Sequence, residues 1–313
     1  MIISYIIMTK SFFKVSCNNL ISFLILLIIL QYFISGCGKI SSHHSDNKYL
    51  TVATFNVSWL GDGKNDQQVR KEKDYKRIAE IITETGADII GLQEIENSKA
   101  LLKVAKYLEG YRFEVGKDGH NQNLAVLYKG NIKLKIIGEY TSLEIERGKN
   151  RPGFLLEARK GNFDFIMMIV HLKATSHFDD TEQKKIQSIE TRRNQAEVLA
   201  HWADSTLKKS KEKDLLIIGD FNDSPLRKNN NTLLSLYKNK HLIFLTEELE
   251  NCMYKSAYSI DHIIVSRSAR NRYIENSRFM LNIFSLLPEK DEAGLSDHCP
   301  VIVKFDCIPA DND

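Results

Sequence analysis

The chain has 313 residues, room for one large domain or two small ones, and 43% of them are hydrophobic, enough for a substantial core. It carries 43 basic and 40 acidic residues; setting aside Lys10 and Lys14 of the N-terminal segment leaves 41 against 40. That balance excludes a strongly basic nucleic-acid binder and leaves any grip on a polyanion to local clusters and a metal.

The first signal along the chain is for export. The run LISFLILLIILQYFISGC (20–37) follows Lys10 and Lys14, and no acid precedes Asp46. A basic start, an apolar run and small residues at its end describe an export signal. Broken by Gln31, the run falls short of the ~20 apolar residues that span a bilayer, which argues against an uncleaved anchor. The ending ISGC (34–37) resembles a bacterial lipobox. That resemblance implies a signal peptide over 1–36, with Cys37 as the acylated first residue of an exported lipoprotein at the outer membrane or cell surface. Met8 is an alternative start of translation. From Cys37 to Lys48 the polar, aperiodic GKISSHHSDNK reads as a flexible tether, with His43 and His44 a solvated pair.

One α/β domain is predicted over 49–313. YLTVATFNV is a strand, and VRKEKDYKRIAEIITETG has helical spacing and ends on Gly86. ADIIGLQEI is a buried strand and SKALLKVAKYLEG a second helix. RFEVG, NLAVLYK, IKLKIIGEY, GFLLEAR and FDFIMMIVHLK are strand-like, followed by a long helix in TEQKKIQSIETRRNQAEVLAHWADS. DLLIIGD, AYSIDHIIVS, RYIENSRFML and PVIVKFD complete the strands. So many consecutive strands point to mixed sheets.

Polar residues recur where these strands end. They are Asn56, Glu94, His171, the pair Asp220 and Asn222 in GDFND, the pair Asp261 and His262, and the pair Asp297 and His298. Residues at i and i+2 of an extended segment point the same way, so Asp220 and Asn222 are expected to project together from the sheet mouth. Each cluster alone has a plain structural explanation, such as a capped turn or a core histidine. Six in one domain make a stronger pattern.

In order, TFNV, LQEIEN, NLAVLY, VHLKA, GDFND, IDHIIVS and SDHCPV resemble the motifs of the endonuclease/exonuclease/phosphatase family. The resemblance covers nearly all of 49–313 and implies a four-layer α/β/β/α sandwich with two mixed sheets, as in pancreatic deoxyribonuclease. It implies Mg²⁺, with Mn²⁺ or Ca²⁺ as alternatives, held principally by Glu94, with Asn56 and Asp297 completing the metal site or its water shell. It implies that Asp220 and Asn222 orient the attacking water and a phosphate oxygen, that Asp261 and His298 form a dyad, and that His171 is a second histidine near the phosphate. Arg151 in KNRPGF matches an arginine that reaches a phosphate oxygen. Gln122 stands where the deoxyribonucleases place a Glu that orients the first histidine, so Gln122 is expected to support His171 without charge. His262 is expected to pack rather than react.

The family includes nucleases, inositol-phosphate phosphatases and sphingomyelinases, so fold alone does not choose a substrate. The motifs and the export signal favour a monomeric nuclease, DNA over RNA, bound to the membrane by its lipid. A lipid or inositol phosphoesterase and a non-catalytic surface lipoprotein are the competing readings. Basic residues that could track phosphates are scattered: Lys129, Lys133, Lys135, Arg147, Lys149, Arg151, Lys173, Arg192 and Arg193. Cys299 and Cys307 flank a predicted strand whose eight residues span ~26 Å, beyond the ~7 Å of a disulfide. Either one could pair with Cys252, or all three could be free thiols.

Overall fold

The computed structural model describes residues 48–254, 256–286, 295–311 and 313. The signal peptide, Cys37, His43 and His44 lie outside the described residues. Among the described residues no helix is long and apolar enough to cross a membrane.

The chain runs β1 (Tyr49–Leu60), α1 (Glu72–Glu84), β2 (Ile89–Ile95), α2 (Ser98–Ala105), β3 (Tyr111–Val115), β4 (Asn123–Lys129), β5 (Lys133–Tyr140), β6 (Gly153–Lys160) and β7 (Phe163–His171). It continues with α3 (Glu182–Lys209), β8 (Leu215–Asp220), α4 (Leu234–Tyr237), β9 (Leu242–Phe244), β10 (Asp261–Ser266), α5 (Arg267–Arg270), β11 (Phe279–Met280) and β12 (Val301–Asp306). Two six-stranded sheets result, ordered β11-β12-β1-β2-β4-β3 and β5-β6-β7-β8-β10-β9. Each has one parallel pair at its centre, β1 with β2 and β7 with β8, flanked by antiparallel strands. These are the mixed sheets expected.

Strand alternation builds three apolar layers. Ala53, Phe55 and Val57 of β1 face α1 and α2, whereas Leu50 and Val52 face the second sheet. In β8, Leu216 and Ile218 join the layer between the sheets, and Leu215 and Ile217 pack under α3 with Leu199 and Trp202. The order is therefore helix, sheet, sheet, helix. Asn97 caps α2 through Lys99 N and Ala100 N, and Thr181 caps α3 through Lys184 N.

One predicted strand is mostly absent. RYIENSRFML forms only the two-residue β11, because Asn276 takes a left-handed φ of +60° and Ser277 N turns back to the Ile274 carbonyl. Of the cysteines, Cys252 pairs with Cys299, while Cys307 is a buried free thiol pushed up to about 12 by its burial.

Candidate active site

Register assembles one half of the site. His171 at the end of β7 and Asp261 at the start of β10 both pair in register with Asp220 at the end of β8, so the three form one row. All three are buried. Gly219 leads into Asp220 with φ +148°, and a Cβ there would lie 2.0 Å from the Val170 carbonyl oxygen, so glycine is required.

A bulge assembles the other half. Asn56 pairs with Gln93, but Leu60 then pairs with Ile95, so β1 carries extra residues between them. Ser58, Trp59, Glu94 and Asn222 all have positive φ, four of the eight such non-glycine residues among those described, so backbone strain concentrates at this site. Arg70 holds the bulge. Its buried guanidinium donates to the carbonyls of Val57 (2.6 Å), Ser58, Trp59 (3.1 Å) and Leu295 (2.9 Å). Residues 57–59 are thereby tied to the segment that carries Asp297 and His298.

Asn56 Nδ2 donates to Glu94 Oε1 at 3.2 Å and to Asp220 Oδ2 at 3.1 Å, and its Oδ1 accepts from Ser58 N at 2.9 Å. Asn56, expected to complete the metal site or its water shell, here directs its nitrogen to both carboxylates while its oxygen accepts from Ser58 N, so it positions Glu94 and Asp220. Glu94 Oε2 accepts from Trp59 N at 3.0 Å. The exposed Asp297 carboxylate accepts from Ser58 Oγ and lies 3.9 Å from His298 Nε2.

His298 Nδ1 lies 2.8 Å from Asp261 Oδ2, and its Nε2 lies 3.7 Å from Asp220 Oδ2. Burial opposes charge on this ring, but Asp261 and Asp220 outweigh it and hold the pKa well above the ordinary histidine value. Burial pushes Asp220 up to about 7, with His298 pulling it down and Asp261 pushing it up. His171 goes the other way: burial, then Arg151 and His298, drive it well below its ordinary value. Its Nε2 lies 3.4 Å from Asp220 Oδ2, and its Nδ1 has no partner.

The expected support of His171 by Gln122 is also corrected. Gln122 Oε1 accepts from Arg151 Nη2, because the guanidinium is the stronger donor for an amide oxygen. Asn222 N donates to Asp220 Oδ1 at 2.8 Å and Asn222 Nδ2 to the Leu172 carbonyl at 3.1 Å. This pair meets through a turn, not along an extended strand, because Asn222 is left-handed. His262 packs as expected, fully buried, with its Nε2 3.2 Å from the Asp223 carbonyl and its pKa lowered to about 4 by burial. Arg192, one of the basic candidates, is buried and donates to Thr232 Oγ1 and the Lys173 carbonyl. It holds α3 in place and is not a phosphate-tracking surface group.

The donor set suits a hard divalent cation. Glu94 and Asp220 present carboxylates to one gap, and Asp261 Oδ1 is buried without a partner. Asp220, Asp261 and His298 place candidate ligand atoms within 4.8 Å of one another. Sequence reasoning missed Arg70, Ser58 and Ser296, whose Oγ donates to the Asn56 carbonyl at 2.7 Å and accepts from His298 N at 2.9 Å. Cys252, open in the sequence to pairing with either Cys299 or Cys307, pairs with Cys299 and so anchors the residue after His298. Only the cysteines left a signal in the sequence.

The sequence pattern of the endonuclease/exonuclease/phosphatase family matches residues 53–298. No curated protein matches the chain. Among solved structures, an endonuclease/exonuclease/phosphatase family protein from Bacteroides thetaiotaomicron is similar at 18% identity and TM-score 0.56, covering 85% of this chain and 98% of that one. Truncated TDP2 from Caenorhabditis elegans is similar at 16% identity and TM-score 0.59, covering 83% and 99%. A mannosyl-6-phosphatase from Bacteroides thetaiotaomicron is similar at 18% identity and TM-score 0.56, covering 81% and 98%. At these identities the likeness is one of fold.

Proposed function

The chain belongs to the endonuclease/exonuclease/phosphatase family, and from that premise we propose that it hydrolyses phosphodiester bonds of nucleic acid, DNA over RNA, with Mg²⁺ as its ion. Family members are phosphoesterase hydrolases and typically depend on a divalent metal. The observation that carries the reading is the Asp261–His298 hydrogen bond, set beside Asp220 at the end of one row of strands.

Each residue has a task that its surroundings support. Asp220 is fixed through Oδ1 by Asn222 N and through Oδ2 by Asn56, and it takes the proton of the attacking water. His298, kept charged by Asp261, gives its Nε2 proton to the departing oxygen. Neutral His171 hydrogen-bonds a phosphate oxygen, and Arg151, steadied by Gln122, reaches another. Glu94 would hold the metal, with Asp297 completing its water shell; the ion supplies neutralisation of the phosphate charge. A surface lipoprotein without activity would need no such set.

The export motif supports a lipoprotein whose mature chain starts at acylated Cys37, which mass spectrometry of the mature N-terminus tests. For the substrate, the purified protein is incubated with Mg²⁺ and separately with duplex DNA, single-stranded RNA, sphingomyelin, an inositol polyphosphate and mannose 6-phosphate. Cleavage of DNA that stops on exhaustive chelation is the expected result. Hydrolysis of the lipid or of either phosphate monoester, with both nucleic acids intact, overturns the nuclease reading and leaves the family standing.

A further inference from the structure

A cleft of about 530 Å³ opens beside the reacting groups, lined by Trp59, Phe178, His120, Gln122, Lys149 and Arg151 among others. It shares two walls with the site. Trp59 N is bonded to Glu94 Oε2 at 3.0 Å, and Arg151 lies within electrostatic reach of Glu94 and Asp220. Phe178 is 67% exposed and rests on His177 with ring centroids 3.9 Å apart. No acidic side chain is among the described residues that line the cleft.

We propose that this cleft is the subsite for the nucleotide next to the scissile phosphate, its base stacked on Trp59 and Phe178 and its phosphate on Arg151. The proposal rests on the nucleic-acid reading and adds where the base is held. The chemistry of the lining selects the ligand. Aromatic faces stack any nucleobase, which suits binding with little sequence preference. A cationic wall without carboxylates admits an anion, and Lys149, already 2.7 Å from Glu146 Oε2, contributes less to it than Arg151. A sugar phosphate alone could meet the amides of Gln67 and Asn121 but would leave both aromatic faces uncovered, so stacking is what sets a nucleotide apart from it here. The volume falls in the range of ligand pockets, roughly 300–1,000 Å³.

Binding of dAMP and of 2-deoxyribose 5-phosphate to the full chain separates the base from the sugar phosphate. The readout is intrinsic fluorescence, because the chain has two tryptophans and the other, Trp202, is on α3 with its side chain buried against the sheet. Quenching by dAMP at about tenfold lower concentration than by the sugar phosphate is expected. Phe178→Ala, at an exposed position, is expected to weaken dAMP about tenfold and leave the sugar phosphate unchanged. Equal binding of the two probes, or no effect of Phe178→Ala on dAMP, overturns the subsite. DNA cleavage by the same preparation is scored separately, so an intact nuclease with equal probe binding loses the subsite and keeps the nuclease reading. If DNA is not cleaved, the nuclease reading fails on its own assay, and the two probes still decide the cleft.

Discussion

Asn56 Nδ2 lies 3.1 Å from Asp220 Oδ2, a hydrogen bond that crosses from one β-sheet to the other between residues 164 apart in sequence. The same nitrogen also holds Glu94, so one amide sets the spacing of two carboxylates that would otherwise repel. Asn56→Ala is therefore expected to lower metal affinity and kcat about 10- to 100-fold, as loss of a group that orients metal ligands does. Metal titration of activity checks it; unchanged metal dependence would remove Asn56 from this role.

The two histidines should differ. His298 has a carboxylate partner at 2.8 Å, whereas His171 Nδ1 has none. His298→Ala is expected to lower kcat by about 10²- to 10⁴-fold with KM little changed. His171→Ala should cost less. Gln122→Ala should raise KM through Arg151 and leave kcat near wild type, because Gln122 contacts the arginine and not the ring. Steady-state kinetics of the three variants test the order, and a greater kcat loss in His171→Ala than in His298→Ala would reverse the assignment.

The segment 295–299 is clamped at both ends, by Arg70 on the Leu295 carbonyl and by Cys299 in its disulfide with Cys252. Closing a loop of 47 residues is worth about 4 kcal/mol by chain entropy. Cys252→Ser should lower Tm accordingly. It should also lower kcat at temperatures far below unfolding, since His298 is the neighbour of Cys299. A full kcat in the folded variant would mean that Arg70 alone positions the segment.

Stability should depend on pH through a cluster remote from the site. Glu212 is raised from 4.5 to about 8, first by burial and then by Asp313, Asp214 and Asp164, against a backbone hydrogen bond from Asp214 N. Between about 4.5 and 8 the folded chain keeps a proton that the unfolded chain has released. Stability from this group therefore falls as pH rises through that window and is level above it. Glu212→Gln should flatten the fall at its upper end and make the variant the more stable protein at pH 8, measured by denaturant unfolding. Asp164 and Asp214, each raised to about 6, keep the slope at the lower end. An unchanged slope in Glu212→Gln would place the titration elsewhere.

Much of the fold was legible because its strands are short apolar runs bounded by charge or glycine. DLLIIGD is such a run, and β8 follows it. RYIENSRFML misled because it has the residue types of a strand but places Asn276 at a left-handed turn. The site residues were legible as types at strand ends. Asp220, Asp261 and His171 come together as one row because β7, β8 and β10 are neighbours in register, a fact of pairing rather than of local sequence.

By itself the sequence determined which residues could react, since carboxylate, imidazole and guanidinium chemistry belongs to residue type. It also determined the mixed layering, through the period of its apolar residues. Only the tertiary structure decided who holds whom: Gln122 on Arg151 rather than His171, Asn56 between two carboxylates, Cys252 with Cys299, and Arg70 across four carbonyls. Hydrogen bonds and disulfides act over a few ångströms, and the chain distances they bridge here, from 11 residues to 225, carry no periodic signal that a linear reading can detect.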